Sequence, residues 1–140
     1  MDNLFFTDEH IMIRDMVREF ADTEITPVAR DLDEQGEFPT ALVNKMGELG
    51  LMGILIPEEY GGSGLDMVAF ATAIIELARA DASVAITMAA HTSLGSLPIL
   101  MFGSEEQKNT YLPKLATGEM LGAFGLTEPD AGSDAGATKT

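Results

Sequence analysis

Residues 122–136 gather the groups best able to meet a ligand. Gly122, Gly125, Gly132 and Gly136 would let a ligand approach the backbone closely. Thr127, Ser133 and the freed N–H groups of the loop supply donors for a carbonyl or a phosphate. The same Gly-rich spacing also suits a plain turn. Other chemistries are excluded by pattern. The glycine spacing and following helix of a dinucleotide fingerprint are missing, and no Gly-Lys-Ser/Thr follows as in a phosphate-binding loop. There is no cysteine, which removes disulfides and thiolate metal sites. No two histidines share a helical face, and no Ser–His–Asp arrangement is visible. His91 lies in an apolar run and reads as a hydrogen-bonded core or pocket-edge residue, and His10 as a surface residue without a chemical role. Glu128 and Asp134 read as acids that hold loop geometry rather than move protons. The methionines are scattered through helices as core filler.

The elements that must position this loop read as a series of helices. Thr7 caps the first, with Asp8 and Glu9 at its positive end and Ile13, Met16, Val17 and Phe20 at helical spacing. Pro27 breaks or restarts it, and a polar helix runs on to Gly36. Pro39 suits the first turn of a helix with Leu42, Val43, Met46 and Leu49 as its apolar set, stopped by Gly50. A short apolar run from Leu51 to Ile56 precedes a loop, residues 57–64. Asp66 caps a helix whose apolar stripe is Met67, Phe70, Ala71, Ile74, Leu77 and Ala78. Asp81 or Ser83 begins an uncharged helix that ends around Gly95, and a short helix follows from about Pro98 to Gly103. Ser104 and Gln107 form a capping box for a helix through Tyr111 and Leu115, ending near Gly118. From Met120 to Thr127 helical spacing is lost and a strand is expected, leading into a turn-rich loop from Glu128 to Asp134.

Composition sets limits on partners. The formal net charge is −15, from 23 acidic and 8 basic residues. Such a surface repels nucleic acid and anionic membrane faces, whose binding depends on Lys and Arg. The stretch Ala82 to Ser104 lacks charged side chains and is long enough to span a bilayer. Its Ser, Thr and His residues, with Gly95 and Pro98, fit a helix buried inside protein better. Leu4-Phe5-Phe6 is too short for a signal peptide, so a cytoplasmic protein is expected. A helix apolar on all sides, Val84 to Leu94, needs more cover than the other helices offer. With a strand beginning near the end, this predicts a second domain that starts and breaks off.

The run Gly125-Leu126-Thr127-Glu128-Pro129-Asp130-Ala131-Gly132-Ser133-Asp134 resembles the signature of acyl-CoA dehydrogenases. Gly103 to Gln107, Tyr111-Leu112-Pro113, Ala123 to Pro129, Pro57 to Gly62 and Glu76-Leu77-Ala78 are similar to that family in order and spacing. The resemblance covers essentially the whole chain. It implies an all-α fold class: an N-terminal helical-bundle domain (1–118), followed by the first strand and loop of a middle β domain (119–140), with a C-terminal four-helix bundle beyond. It also implies FAD as cofactor and an acyl-CoA as substrate. The electrons would pass to an electron-transferring flavoprotein, and the whole enzyme would be a homotetramer.

By the same resemblance, Phe124, Gly125, Leu126 and Thr127 line the flavin. The N–H groups of Leu126 and Thr127, with the Thr127 hydroxyl, would bond its pyrimidine edge. Gly132 and Ser133 match positions near the FAD phosphates, Ser133 also near the coenzyme A moiety. Ala90 and Leu94 are similar to positions that line the acyl pocket, and a packed core helix is the other reading of this pair. No residue takes the catalytic-base role, which the family gives to a carboxylate of the C-terminal domain. The isolated chain is therefore expected to lack dehydrogenase activity and to bind FAD weakly or not at all. An acyl-CoA oxidase or another flavoprotein on the same scaffold, and a non-catalytic helical interaction module, are the alternatives.

Overall fold

In the computed structural model, residues 6–140 are described, so most of the short apolar run Leu4-Phe5-Phe6 lies outside the described residues. Helix α1 (Asp8–Phe20) begins with a reciprocal cap. The Thr7 side chain accepts from the His10 N–H, and the Thr7 N–H donates to His10 Nδ1 at 3.1 Å. A backbone N–H can only donate, so Nδ1 is bare and Nε2 carries the ring hydrogen. Nε2 faces both carboxylate oxygens of Asp66 at 3.0 Å. Asp66 in turn caps helix α4 (Met67–Ala80) by accepting from the N–H groups of Val68 and Ala69. The Ala69 N–H chiefly, and then His10, hold the Asp66 carboxyl below its usual range. His10 is therefore not an idle surface residue. It is buried, and it ties the start of α1 to the start of α4.

The same two helices meet again further along. Arg18 forks onto the buried Glu76, Nη2 to Oε1 at 2.6 Å and Nε to Oε2 at 3.0 Å. Arg79 leans on Glu76 from the same helix and reaches Asp22 at 2.7 Å. The hydrogen bond from Arg18 is the main reason the Glu76 carboxyl stays ionised below the ordinary carboxylate range. This ion pair turns the buried face of α4 partly away from the apolar stripe read from the sequence, of which Leu77 is buried and Phe70 and Ile74 pack against the core. The face is Ala69, Thr72, Ala73, Glu76 and Leu77, while Met67, Ala71 and Ala78 are exposed. Small side chains let the helices approach closely, and a charged partner on α1 makes a buried glutamate tolerable.

Between these helices, α1 widens into a π turn (Ala21–Ile25), then α2 (Ala29–Gln35) ends at Gly36 and α3 (Thr40–Glu48) stops at Gly50, as expected. Leu42, Val43 and Met46 are buried, while Leu49 faces outward. Leu51, Met52, Ile54 and Ile56 are not helical, yet all four are buried. One core joins Val17, Phe20, Ile25, Val43, Met46, Met52, Ile54, Leu77, Val84 and Met88. A smaller one joins Ile56 and Tyr60 to Leu112, Leu115 and Ala116 of α7 (Glu105–Ala116), whose N-terminus carries the predicted Ser104–Gln107 box.

Asp81 caps helix α5 (Ala82–Ala90). The helix does not end at Gly95. It passes through a second π turn (His91–Ser96) into α6 (Leu97–Phe102), one continuous helix over Ala82–Phe102. The wide turn carries the chain into Pro98, whose ring would clash with the tighter ladder of an α-helix and whose nitrogen has no hydrogen to give it. By length and composition this helix could cross a membrane, yet Val84, Ala85, Met88, His91, Thr92 and Ser96 are packed inside the fold. The neighbouring helices cover one side only. Ile86, Leu94, Met101 and Phe102 stay exposed, the last at 82%.

The architecture is all-α, as expected. Among the described residues no strand forms. The strand predicted from Met120 to Thr127 is absent: these residues are non-helical but find no partner to make a ladder with. The loop beyond is closed by a reciprocal pair, Glu128 N–H to Ala131 O at 2.9 Å and Ala131 N–H to Glu128 O at 3.2 Å.

Leu77→Ala, at a position with no exposure, should cost about 3 kcal/mol of stability. Ile75→Ala, two residues away on the outer face, should stay within about 0.5 kcal/mol. Urea midpoints of the two variants check this, and equal losses would refute the assigned face.

Candidate functional site

The Gly-rich segment has no sheet to hold it, so other groups must. The uncharged helix supplies them. His91 is fully buried in the π turn, with Nδ1 accepting from the Gly122 N–H at 2.9 Å. As at His10, that donor forces the hydrogen onto Nε2, which donates to the Leu115 carbonyl at 3.0 Å. One ring thus joins α5, the last turn of α7 and the segment that follows. Burial pushes the His91 pKa below its ordinary value, with the carbonyls of Leu115 and Met52 opposing, so the ring is neutral.

One helical turn on, Gly95 completes the attachment. A Cβ there would lie 2.5 Å from the Gly122 Cα, and a Cβ on Gly122 would lie 2.7 Å from the Gly95 Cα. Both positions need glycine because two backbones touch. The π turn aids this approach, with the Ser96 hydroxyl donating to the His91 carbonyl at 3.1 Å.

Beyond this anchor lies a cleft of about 290 Å³ lined by Phe124, Gly125, Leu126, Glu128, Thr138 and Thr140. Three of the residues predicted from sequence thus come together: Phe124, Gly125 and Leu126. Thr127, Gly132 and Ser133 are exposed and do not line it. Ala90 and Leu94 flank His91 and Gly95 on the helix, Ala90 half-buried and Leu94 exposed, and neither lines the cleft.

Two features of the segment exceed what the chain itself needs. Among the described residues, no backbone N–H from Ala123 to Thr127 has an acceptor within the chain. Gly125 and Gly132 have ordinary negative-φ backbones, and a Cβ on either would meet nothing within 4 Å. The row of free donors and the bare backbone are therefore available to something outside. Glu128 serves the loop, its carboxylate accepting from the N–H groups of Lys139 at 2.8 Å and Thr140 at 3.1 Å. Asp134 contributes its backbone carbonyl to the turn at Ala137. Sequence reasoning placed His91 in a hydrogen-bonded interior but missed what it holds. A lone histidine in an otherwise uncharged helix was the available signal.

Comparison with known proteins identifies the family. Residues 7–119 match the N-terminal domain of acyl-CoA dehydrogenases. The chain is 53% identical over 134 residues to an acyl-CoA dehydrogenase of Bacillus subtilis, covering 96% of this chain and 35% of that protein. Two solved structures superpose closely. A chain from a structure of the electron transferring flavoprotein of Acidaminococcus fermentans has a TM-score of 0.92 and 45% identity, over 98% of this chain and 36% of that one. An acyl-CoA dehydrogenase of Bacillus anthracis complexed with FAD has a TM-score of 0.89 and 50% identity, over 96% of this chain and 23% of that one. The chain belongs to the acyl-CoA dehydrogenase family. It spans about a third or less of the length of these relatives.

Gly95→Ala should have opposite local effects. Alanine favours the helix by about 1 kcal/mol over glycine, but its methyl group drives into the Gly122 backbone. The expected result is faster proteolytic cleavage between residues 119 and 127, with the thermal midpoint of the helices held or raised. Unchanged cleavage there would refute the contact.

Proposed function

We propose that this chain is the leading part of an FAD-dependent acyl-CoA dehydrogenase that forms the trans-2-enoyl-CoA by α,β-dehydrogenation. The observation that carries the proposal is the anchored segment Phe124–Thr127, with unpaired N–H donors beside a cleft walled by Phe124 and Leu126. These residues fit a flavin edge: an apolar wall for the ring, and backbone donors for the carbonyl and nitrogen acceptors of its pyrimidine side. When bound, FAD supplies the acceptor for the hydride that leaves the β carbon. The N–H groups of Leu126 and Thr127, with the Thr127 hydroxyl, orient the ring and favour negative charge arriving on it. Gly132 and Ser133 leave an open, donor-bearing loop for the cofactor phosphates and the coenzyme A moiety. Ala90 and Leu94 border the acyl chain. The α proton goes to a carboxylate of a C-terminal domain, since among the described residues Glu128 is the acid that lines the cleft and it is engaged by the loop backbone.

The electrons pass to an electron-transferring flavoprotein, a reading supported by the likeness to the Acidaminococcus chain. We put the domain boundary at 118/119, just past the end of α7. The whole enzyme is a tetramer acting in fatty-acid β-oxidation in the cytoplasm, away from nucleic acid and membranes. The 140 residues alone are inactive and bind FAD weakly. The exposed face of α5 and α6 would equally serve a non-catalytic module that meets a partner.

The test is anaerobic addition of short and long acyl-CoAs to the protein extended through a C-terminal domain. Bleaching of the flavin is expected, while the 140-residue chain should give none. A flavin that stays oxidised with every thioester would move the substrate to another class, and absence of flavin would favour the module. Rapid oxidation of the reduced flavin by air would favour the oxidase. Thr127→Val, which removes one donor, should slow flavin reduction by roughly tenfold.

A further inference from the structure

The proposal above needs the Phe124–Thr127 segment held in place, and the holding is concentrated at one side chain. The Gly122 N–H has one acceptor, His91 Nδ1. The next five backbone N–H groups have none within the chain among the described residues. Upstream, the Met120 N–H is fixed to the Lys114 carbonyl at 3.1 Å, so the chain as far as Met120 belongs to the helical body. Everything from there to Thr127 hangs on the His91–Gly122 bond and on the Gly95–Gly122 backbone contact.

We propose that His91 is the positioning residue of the flavin-edge segment, a latch that holds Gly122 while its ring is neutral and releases it on protonation. The inference rests on the flavin reading for its consequence but not for its mechanism. A neutral ring with hydrogen on Nε2 satisfies both neighbours, one donor facing a carbonyl and one acceptor facing an N–H. The imidazolium has hydrogen on both nitrogens, so Nδ1 would face the Gly122 N–H donor to donor. Protonation must break that contact, and among the described residues the buried site offers no anion in compensation. The helix Ala82–Phe102 carries no Asp, Glu, Lys or Arg. On the side of α7, Lys114 and Glu119 pair with each other at 3.6 Å. The Met52 turn, residues 50–57, has no charged side chain, and Glu48 and Glu58 stand beyond its ends. Only burial and two backbone carbonyls bear on the ring, and burial outweighs them.

The sign of the pH dependence follows. The folded ring takes its proton less readily than the unfolded one, whose pKa is the ordinary 6.5. The stability that His91 lends is therefore full above that value and lost as pH falls through it towards the folded pKa. Carboxylates such as Glu76 and Asp66 act in the same direction, but only below their own ordinary values of 4.5 and 3.8. The interval between is the window of His91.

The experiment is amide hydrogen exchange by NMR on the chain without flavin, at about pH 7.5 and about pH 5, with ¹⁵N shifts of the imidazole read in parallel. The expected result is a Gly122 protection factor at least about tenfold lower once the ring protonates, while Met88 in the core keeps its protection. His91→Asn retains an acceptor near the Nδ1 position and should protect Gly122 equally at both pH values. His91→Phe, with no acceptor, should leave Gly122 unprotected at both. Unchanged Gly122 protection on protonation, protection retained in His91→Phe, or a ring that stays neutral until the whole chain unfolds would each overturn the latch. FAD titration of the longer protein then separates the two ideas. A working latch without flavin binding counts against the proposed function alone.

Discussion

The contact between His91 and Gly122 is the joint on which the site side of this molecule depends. It is a contact of complementary parts: a buried ring with one donor and one acceptor, a carbonyl at the end of α7, and an N–H at the start of the segment. Remove any one and a buried polar group is left without a partner, which costs more than the bond itself contributes. The Gly95–Gly122 approach works only because that bond fixes the distance, and the bond fits only because both glycines lack a side chain. Helix, wide turn, α7 terminus and segment are in this sense one assembly.

Helices α1 and α4 are tied by related chemistry. His10 caps Thr7 with one nitrogen and meets Asp66 with the other, and Arg18 forks onto Glu76. These polar ties fix how α1 lies on α4, while the apolar core sets how closely they approach. Both histidines are used with Nδ1 accepting from a backbone N–H.

Much of this was legible in the sequence because it is local. Thr7, Asp66, Asp81 and Ser104 all cap helices, since a cap depends on residues two or three positions away. Gly36, Gly50 and Gly118 all take the left-handed conformation that ends a helix. What was misread is set by distant partners. Arg18, on another helix, holds Glu76 inside, so an apolar stripe finds Leu77, Phe70 and Ile74 but misses the polar part of the buried face of α4. Gly95 and Pro98 look like a helix end, but a π turn carries the helix through them and turns the glycine onto Gly122. His10 looked exposed because its partner, Asp66, lies in a remote part of the sequence. For the site, Phe124, Gly125 and Leu126 could be named from a motif, but the group that holds them in place could not.

The strand that did not form clarifies how such a site can work. A segment in a ladder gives its N–H groups to a neighbouring strand, alternately to one side and the other. Here residues 123–127 give theirs to no acceptor among the described residues, where the segment is fixed from behind through Gly122. The donors stay available, and donors rather than charges are what this acidic chain has to offer an anionic ligand. Lys139, the one basic residue of the final loop, is drawn to Asp130 at 3.1 Å, while Glu128, Asp130 and Asp134 set the local charge. Backbone dipoles can orient a phosphate or the edge of a ring without adding net positive charge, but they do not outweigh three nearby carboxylates. Cations for a polyanion such as coenzyme A must then come from outside these 140 residues. On this argument the chain supplies geometry and leaves most of the binding energy to its surroundings.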